Sequence, residues 1–240
     1  ILGFVLVNPV WSHHVVYLAV FMMCLTSGAA VLNNIQDRAF DISFSRTRHR
    51  ALPSGRVSVP FAGWLSFVLI LSGLSGLRAI FGNPAFGLSV LALCFYNVLY
   101  TPLKKISLVA IIPGAVCGML GPLIGWAAGA YYMTGAGHLK LDRSIVVVMV
   151  IFGGWQMAHF LLITAQRRLE VVSKPFPTPA KHFDVPELTV QIMIWSGIYC
   201  MGMLFFHFLQ PVSFLPFLVI ICLNVFLLLP LVLMCLVFLP

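Results

Sequence analysis

Apolar runs of about 20 residues recur along almost the whole of this chain, interrupted only by short polar stretches. A run of that length is what an α-helix needs to cross a hydrocarbon core about 30 Å thick. Backbone groups in lipid must be satisfied internally, which leaves helices or a closed barrel as the only spanning structures. No pattern of strands and turns suggests the barrel. With 61% of 240 residues apolar and only 8% charged, an all-α, polytopic membrane bundle forming a single transmembrane domain over residues 1–240 is expected.

Eight segments are expected, at residues 1–7, 14–41, 57–80, 84–101, 106–132, 144–168, 188–209 and 214–239. Pro60 and Pro84 fall in first turns, where a missing N–H does no harm, and Pro230 should kink the last segment. The opening residues read as the tail of a helix rather than as a signal peptide. The fifth segment carries Gly114, Gly118, Gly121, Gly125 and Gly129 at spacings of three and four. Such a stripe serves close helix packing, or a thin wall beside a long apolar ligand.

The net charge of +8 would suggest nucleic acid in a soluble protein. In a membrane protein, lysine and arginine in loops set orientation instead, and no nucleic acid is expected. Eleven of the fourteen basic residues fall in the loops after the second, fourth and sixth segments; Arg78, Lys140 and Arg143 fall in the others. The first set then faces the cytoplasm, or the matrix of an organelle. All six cysteines lie inside apolar runs without a CxxC pair, and read as small core residues. No protein partner is expected.

Against this background two acidic residues stand out. Asn33, Asp37 and Asp41 are four apart at the end of the second segment, so on a helix each steps round by about 40° and up by about 6 Å. Three oxygen-bearing side chains on one face suit Mg²⁺, which takes one or two carboxylates and completes its octahedron with water and phosphate oxygens. The next residues supply Arg38, Arg46, Arg48, Arg50 and Arg56. The sixth segment carries a polar line of Gln156, His159, Gln166 and Glu170, with His159 and Glu170 three turns apart, about 16 Å of rise. Ionisable groups in membrane segments are functional by default, although His159 alone also reads as a satisfied interior histidine. Tyr96, Asn97 and Tyr100 read equally as interfacial anchors or site residues.

A magnesium site beside apolar helices suits a substrate with a diphosphate head and a hydrocarbon tail. The metal spreads the leaving group's charge and lets the allylic C–O bond ionise. Arg46, Arg50, Lys104 and Arg167 offer charge-assisted hydrogen bonds to the remaining negative charge. Capture of the carbocation by an acceptor makes a prenyltransferase; capture by its own double bond makes a terpene cyclase. A transporter with a cation-binding aspartate pair is the non-enzymatic alternative.

The pattern Asn33, Asp37, Asp41, Arg46, Thr47 and Arg50, followed by Leu52-Pro53-Ser54-Gly55-Arg56-Val57, resembles the first aspartate-rich motif of the UbiA superfamily of intramembrane prenyltransferases, in its haem O synthase branch. Tyr100-Thr101-Pro102-Leu103-Lys104-Lys105 resembles that branch's Tyr-Thr…Leu-Lys-Arg element. Gly121-Pro122-Leu123-Ile124-Gly125-Trp126 is similar to its Pro-Pro-x-Ile-Gly-Trp helix, and Trp155-Gln156-Met157-Ala158-His159-Phe160 to its Trp-x-x-Pro-His-Phe. The resemblance runs collinearly over residues 25 to 180. It implies a helical bundle around a central cavity, Mg²⁺, and farnesyl diphosphate as donor. Carried over by position, Asn33, Asp37, Asp41 and Glu170 become metal-site candidates, with Asp37, Asp41 and Glu170 catalytic. Arg46, Arg50, Lys104 and Arg167 become diphosphate ligands, and Tyr100, Gln156 and His159 fall on the cavity or acceptor side.

The chain also departs from the branch at several positions, inside and outside the first motif. Ala39 stands where the branch carries a third aspartate, Ala51 and Ala158 stand where it has prolines, and Glu170-Val171 replaces its Asp-Tyr. The donor half of the pattern is kept better than the acceptor half, which leaves the cyclase alternative open.

Overall fold

Ser12, Ser58 and Asp142 each start a long helix by accepting a backbone N–H that the first turn leaves unpaired. Ser12 Oγ accepts from His14 N at 3.2 Å, Ser58 Oγ from Phe61 N at 3.4 Å and Asp142 Oδ1 from Ile145 N at 3.1 Å, the usual N-cap arrangement. Asp184 and Glu187 form a reciprocal capping box, Asp184 N donating to Glu187 Oε2 and Glu187 N to Asp184 Oδ1. Three of the chain's six acidic residues therefore serve helix starts.

The computed structural model describes residues 1–10, 12–135, 141–166, 168, 172, 177 and 179–209. The elements are α1 (Leu2–Val7), α2 (His13–Gln36), α3 (Arg38–Asp41), α4 (Val59–Leu93), a π-helix (Cys94–Tyr100), α5 (Thr101–Leu103), a 3₁₀ turn (Leu108–Ala110), α6 (Ile111–Thr134), α7 (Arg143–Gln166), α8 (Pro179–His182) and α9 (Val185–Leu209). Among the described residues no strand occurs, and five helical stretches are long and apolar enough to cross a membrane. The expected segments 57–80 and 84–101 form one of these, the 45-residue stretch Val59–Leu103. At 1.5 Å per residue it is long enough for two crossings of a hydrocarbon core, and it consists of two helices joined at a kink. Its backbone turns at Gly82, where φ is 73° and ψ −173°, a conformation essentially confined to glycine. The expected eighth segment, 214–239, lies outside the described residues.

The second segment ends earlier than expected. The α-helix stops at Gln36, because Asp37 takes φ −91° and ψ −2°, and α3 resumes for one turn. The four-residue backbone ladder nonetheless continues, with Asp37 N donating to Asn33 O at 2.8 Å and Asp41 N to Asp37 O at 2.7 Å.

Two compact units are present, one from Ile1–Leu103 and Leu120–Lys140, the other from Lys104–Met119 and the residues from Leu141 on. In the first, α2 packs along α4 through small residues. A Cβ on Gly28 would lie 2.8 Å from Ile70 Cγ1, and one on Gly73 2.8 Å from Leu25 N. Ser66 Oγ donates to Gly28 O across this seam at 2.8 Å. Lipid is as apolar as leucine, so helix contacts in a membrane rest on such close packing and hydrogen bonds rather than on the hydrophobic effect. Phe4, Leu18, Leu77, Phe81 and Ala85 fill the adjoining core, with Phe4 and Phe81 edge to face at 6.1 Å. Phe61, Trp64, Phe67 and Leu71 of α4 are exposed at spacings of three and four, an apolar face matched to hydrocarbon.

The glycine stripe of α6 serves packing. Gly125 and Gly129 lie against the backbone of Gly3 and Phe4 in the first unit, and Gly118 against Gln156 in the second; Gly121 faces open space. Within the second unit α7 packs on α9, with Gly154 against the backbone of Trp195 and Tyr199, over a core of Leu161, Leu188 and Ile192.

Candidate active site

Asp37 and Asp41 are only 4% and 5% exposed, at the end of an apolar helix. A carboxylate so placed needs a cation or donors close by. Arg50 reaches back from the following loop, and its Nη1 donates to Asp41 Oδ2 at 3.0 Å and to Asn34 Oδ1 at 3.4 Å. Thr47 Oγ1 donates to the main-chain oxygen of Asp41 at 2.8 Å. Asp37 has partners of its own, while its Oδ1 atom is buried with no hydrogen-bond donor.

The loop of residues 42–58 has its own internal order. Arg38 Nε donates to Leu52 O at 3.3 Å and Arg56 Nη2 to His49 O at 2.6 Å. Turn bonds from Thr47 N and Arg48 N to Phe44 O, and from Ser54 N to Arg50 O, wind the backbone. Gly55, at φ 76°, supplies the left-handed residue that closes it. Arg38 and Arg56 thus serve loop carbonyls, while Arg50 contacts an acid, Asp41.

The π-helix lies against the end of α2. Thr101 Oγ1 donates to Asn33 Oδ1 at 2.9 Å. Gln36 Nε2 donates to the main-chain oxygen of Asn97 at 2.9 Å, and Asn97 Nδ2 to Gln36 Oε1 at 3.3 Å and to Ala29 O at 3.0 Å. Tyr100 closes the π-helix with its ring stacked on Tyr96, centroids 5.9 Å apart at 13°. A π-turn inside a helix frequently marks a functional site.

Of the residues expected from sequence, Asp41 and Arg50 are in contact, and Asp37 and Asn33 lie one and two turns before Asp41 on the same backbone ladder. Arg46 lies exposed on the same loop. Lys104 is half-buried directly after α5 and belongs to the second unit, as do Gln156 and His159. On α7 the rings of Trp155 and His159 stack at 5.1 Å and 6°, with Trp155 47% exposed. Arg167 and Glu170 lie outside the described residues. From sequence, Thr47 and Thr101 stand only as members of motifs, without a role, and Asn34 and Gln36 have none, although the polar run Asn33-Asn34-Ile35-Gln36-Asp37 ending an apolar helix marks the latter two.

The donor set is two carboxylates and an amide, all hard oxygen ligands. Among the described residues no group of three or more His, Cys, Asp or Glu could hold a metal. Two carboxylates and an amide would leave most of a Mg²⁺ shell to water and phosphate oxygens.

The model of the UbiA prenyltransferase family matches residues 1–238 of the chain. Curated relatives include a protoheme IX farnesyltransferase of Oleidesulfovibrio alaskensis, 30% identical over 75% of this chain and 61% of the relative. One of Geobacter sulfurreducens is 39% identical over 60% of this chain and 50% of the relative. A mitochondrial protoheme IX farnesyltransferase of Arabidopsis thaliana is 34% identical over 59% of this chain and 31% of that protein. The chain spans less than two-thirds of the length of each of these relatives. No solved structure matches it significantly.

Proposed function

Because the chain belongs to the UbiA prenyltransferase family, an integral membrane family, we propose that it is a Mg²⁺-dependent prenyltransferase acting on an isoprenyl diphosphate, farnesyl diphosphate first among them. The observation that carries this is the buried pair Asp37 and Asp41, with Arg50 already on Asp41, at the end of an apolar helix.

Asp37 and Asp41, with Asn33, would hold Mg²⁺, which when bound neutralises charge on the leaving diphosphate. Arg50 and Arg46 supply donors on the adjoining loop, with Lys104 and Arg167 as further diphosphate ligands. The allylic C–O bond breaks with its electron pair leaving on the diphosphate. An electron pair of the acceptor then forms the new bond to that carbon, and the positive charge left on the acceptor is discharged by loss of a proton or by addition of water with loss of a proton. Apolar helix walls keep water from competing for the carbocation, and aromatic faces such as the Tyr96–Tyr100 stack offer their quadrupoles to a cation. Glu170 would join the metal site, and Tyr100, Gln156 and His159 complete the proposal on the side of the acceptor. The relatives' names make protohaem IX the first acceptor to test. The concentration of basic residues in the loops after α3, α5 and α7 supports a site opening to the cytoplasm or matrix.

The test is incubation of membranes containing the chain with labelled farnesyl diphosphate and Mg²⁺, with and without protohaem IX. Label in the acceptor is the expected result. A cyclic hydrocarbon formed without acceptor would replace the transferase with a terpene cyclase. Label accumulating inside vesicles without product would replace it with a transporter.

A further inference from the structure

Pro102 leaves a carbonyl unserved in the helix beside the site. In the π register a carbonyl accepts from the N–H five residues on, as Thr101 N does for Tyr96 O. The next donor in that register, for Asn97 O, would be residue 102, and proline has none. Gln36 Nε2 fills the gap at 2.9 Å. Asn97 returns the bond through Nδ2 to Gln36 Oε1 and adds a second to Ala29 O. A backbone carbonyl can only accept, so Ala29 O fixes which end of the Asn97 amide faces α2. Asn97 Oδ1 is then left buried with no partner, a standing penalty accepted by a residue only 3% exposed. One turn further on, Thr101 Oγ1 shares its one proton between Asn33 Oδ1 at 2.9 Å and Tyr96 O at 2.8 Å.

Both contacts fall on the turn of α2 that leads into the acids. Gln36 immediately precedes Asp37, the residue at which α2 leaves helical geometry, and Asn33 lies one turn before it. The geometry points to Asn97 and Thr101 as positioning residues: they hold Gln36 and Asn33, and through them set the geometry in which Asp37 and Asn33 meet a metal diphosphate. Neither is a catalytic residue. This rests on the reading of the α2 terminus as a magnesium-diphosphate site. Partners that orient metal ligands typically carry 10–100-fold of metal affinity.

The test measures thermal unfolding of the purified full chain, titrated with Mg²⁺ in the presence of inorganic diphosphate, so that no turnover is needed. The isosteric Thr101→Val and the amide-deleting Asn97→Leu should each raise the Mg²⁺ midpoint about tenfold or more. Thr101→Ser, which keeps the hydroxyl, should stay close to the wild type. A purely structural role would lower the unfolding temperature without ligand and leave the midpoint in place, and that result in Thr101→Val overturns the inference. Should Asn97→Leu fail to fold, Thr101→Val and Thr101→Ser still decide it. A wild-type chain that Mg²⁺ and diphosphate do not stabilise sinks the site reading and this inference together. A stabilised wild type with unchanged variant midpoints sinks the inference alone.

Discussion

Arg50 Nη1 lies 3.0 Å from Asp41 Oδ2, joining two residues expected to grip opposite parts of the same ligand. The acid is buried while the arginine side chain keeps 39% of its surface, so the guanidinium is the member of the pair that can turn toward an incoming phosphate. Asn34 Oδ1, 3.4 Å away, shares the same nitrogen. Removing the guanidinium should raise KM for farnesyl diphosphate by tenfold or more in Arg50→Ala. Arg50→Lys should recover part of the loss, since an ammonium supplies charge without the planar fork. Steady-state kinetics at saturating Mg²⁺ measure both; equal KM in Arg50→Ala and wild type would remove Arg50 from the site.

Asp37→Ala and Asp41→Ala should each lower turnover by about 10²–10³-fold or more, the scale for losing one charge-stabilising contact in a transition state. Both proteins should still insert in the membrane, because α2 is held by its packing on α4 and by Asn97 and Thr101. Product formed per unit of membrane-extracted protein is the measurement. Near-normal turnover in either variant would move the metal elsewhere.

The acids at helix starts should behave in the opposite way. Asp142→Ala and Asp184→Ala each delete an N-cap bond, worth about 1 kcal/mol, and neither touches the α2 terminus. A small drop in unfolding temperature with unchanged kcat is expected. A large loss of turnover in either would show that the acids cannot be sorted into caps and ligands as they are here.

Gly82 should resist substitution for two separable reasons. A Cβ there collides with the Tyr131 ring, and the φ of 73° is strained for any other residue by about 1–3 kcal/mol. Gly82→Ala should therefore lower thermal stability, and adding Tyr131→Ala should restore only part of it. Full restoration in the double variant would assign the whole effect to the ring.

The order of helices, the register of Asn33, Asp37 and Asp41, and the loop that follows were legible because each rests on local spacing. Four-residue spacing survives the break at Gln36 because the backbone ladder runs through it. The break itself was not legible: Asp37 has nothing in its neighbours that forbids a helix. Segments 57–80 and 84–101 were legible as two helices, and no loop is needed between them because the single residue Gly82, at φ 73° and ψ −173°, suffices to turn the chain. The π-helix was hidden for a different reason. Apolar periodicity in lipid does not distinguish helix registers when every face is greasy, and only Pro102 signals that a carbonyl upstream lacks its donor. Asn34, Gln36 and Thr101 matter through contacts 16, 61 and 68 residues apart in sequence, which no spacing rule reaches.

The central claim is that the α2 terminus ionises an isoprenyl diphosphate with the help of a divalent cation. Release of inorganic diphosphate from farnesyl diphosphate, followed in membranes of the wild type and of Asp37→Asn with and without chelator, tests it most directly. Substitution by Asn keeps the side chain's shape and removes its charge. The expected result is release by the wild type that stops on chelation, resumes with added Mg²⁺, and is absent in Asp37→Asn. Release that persists under chelation, or that Asp37→Asn leaves intact, would contradict it.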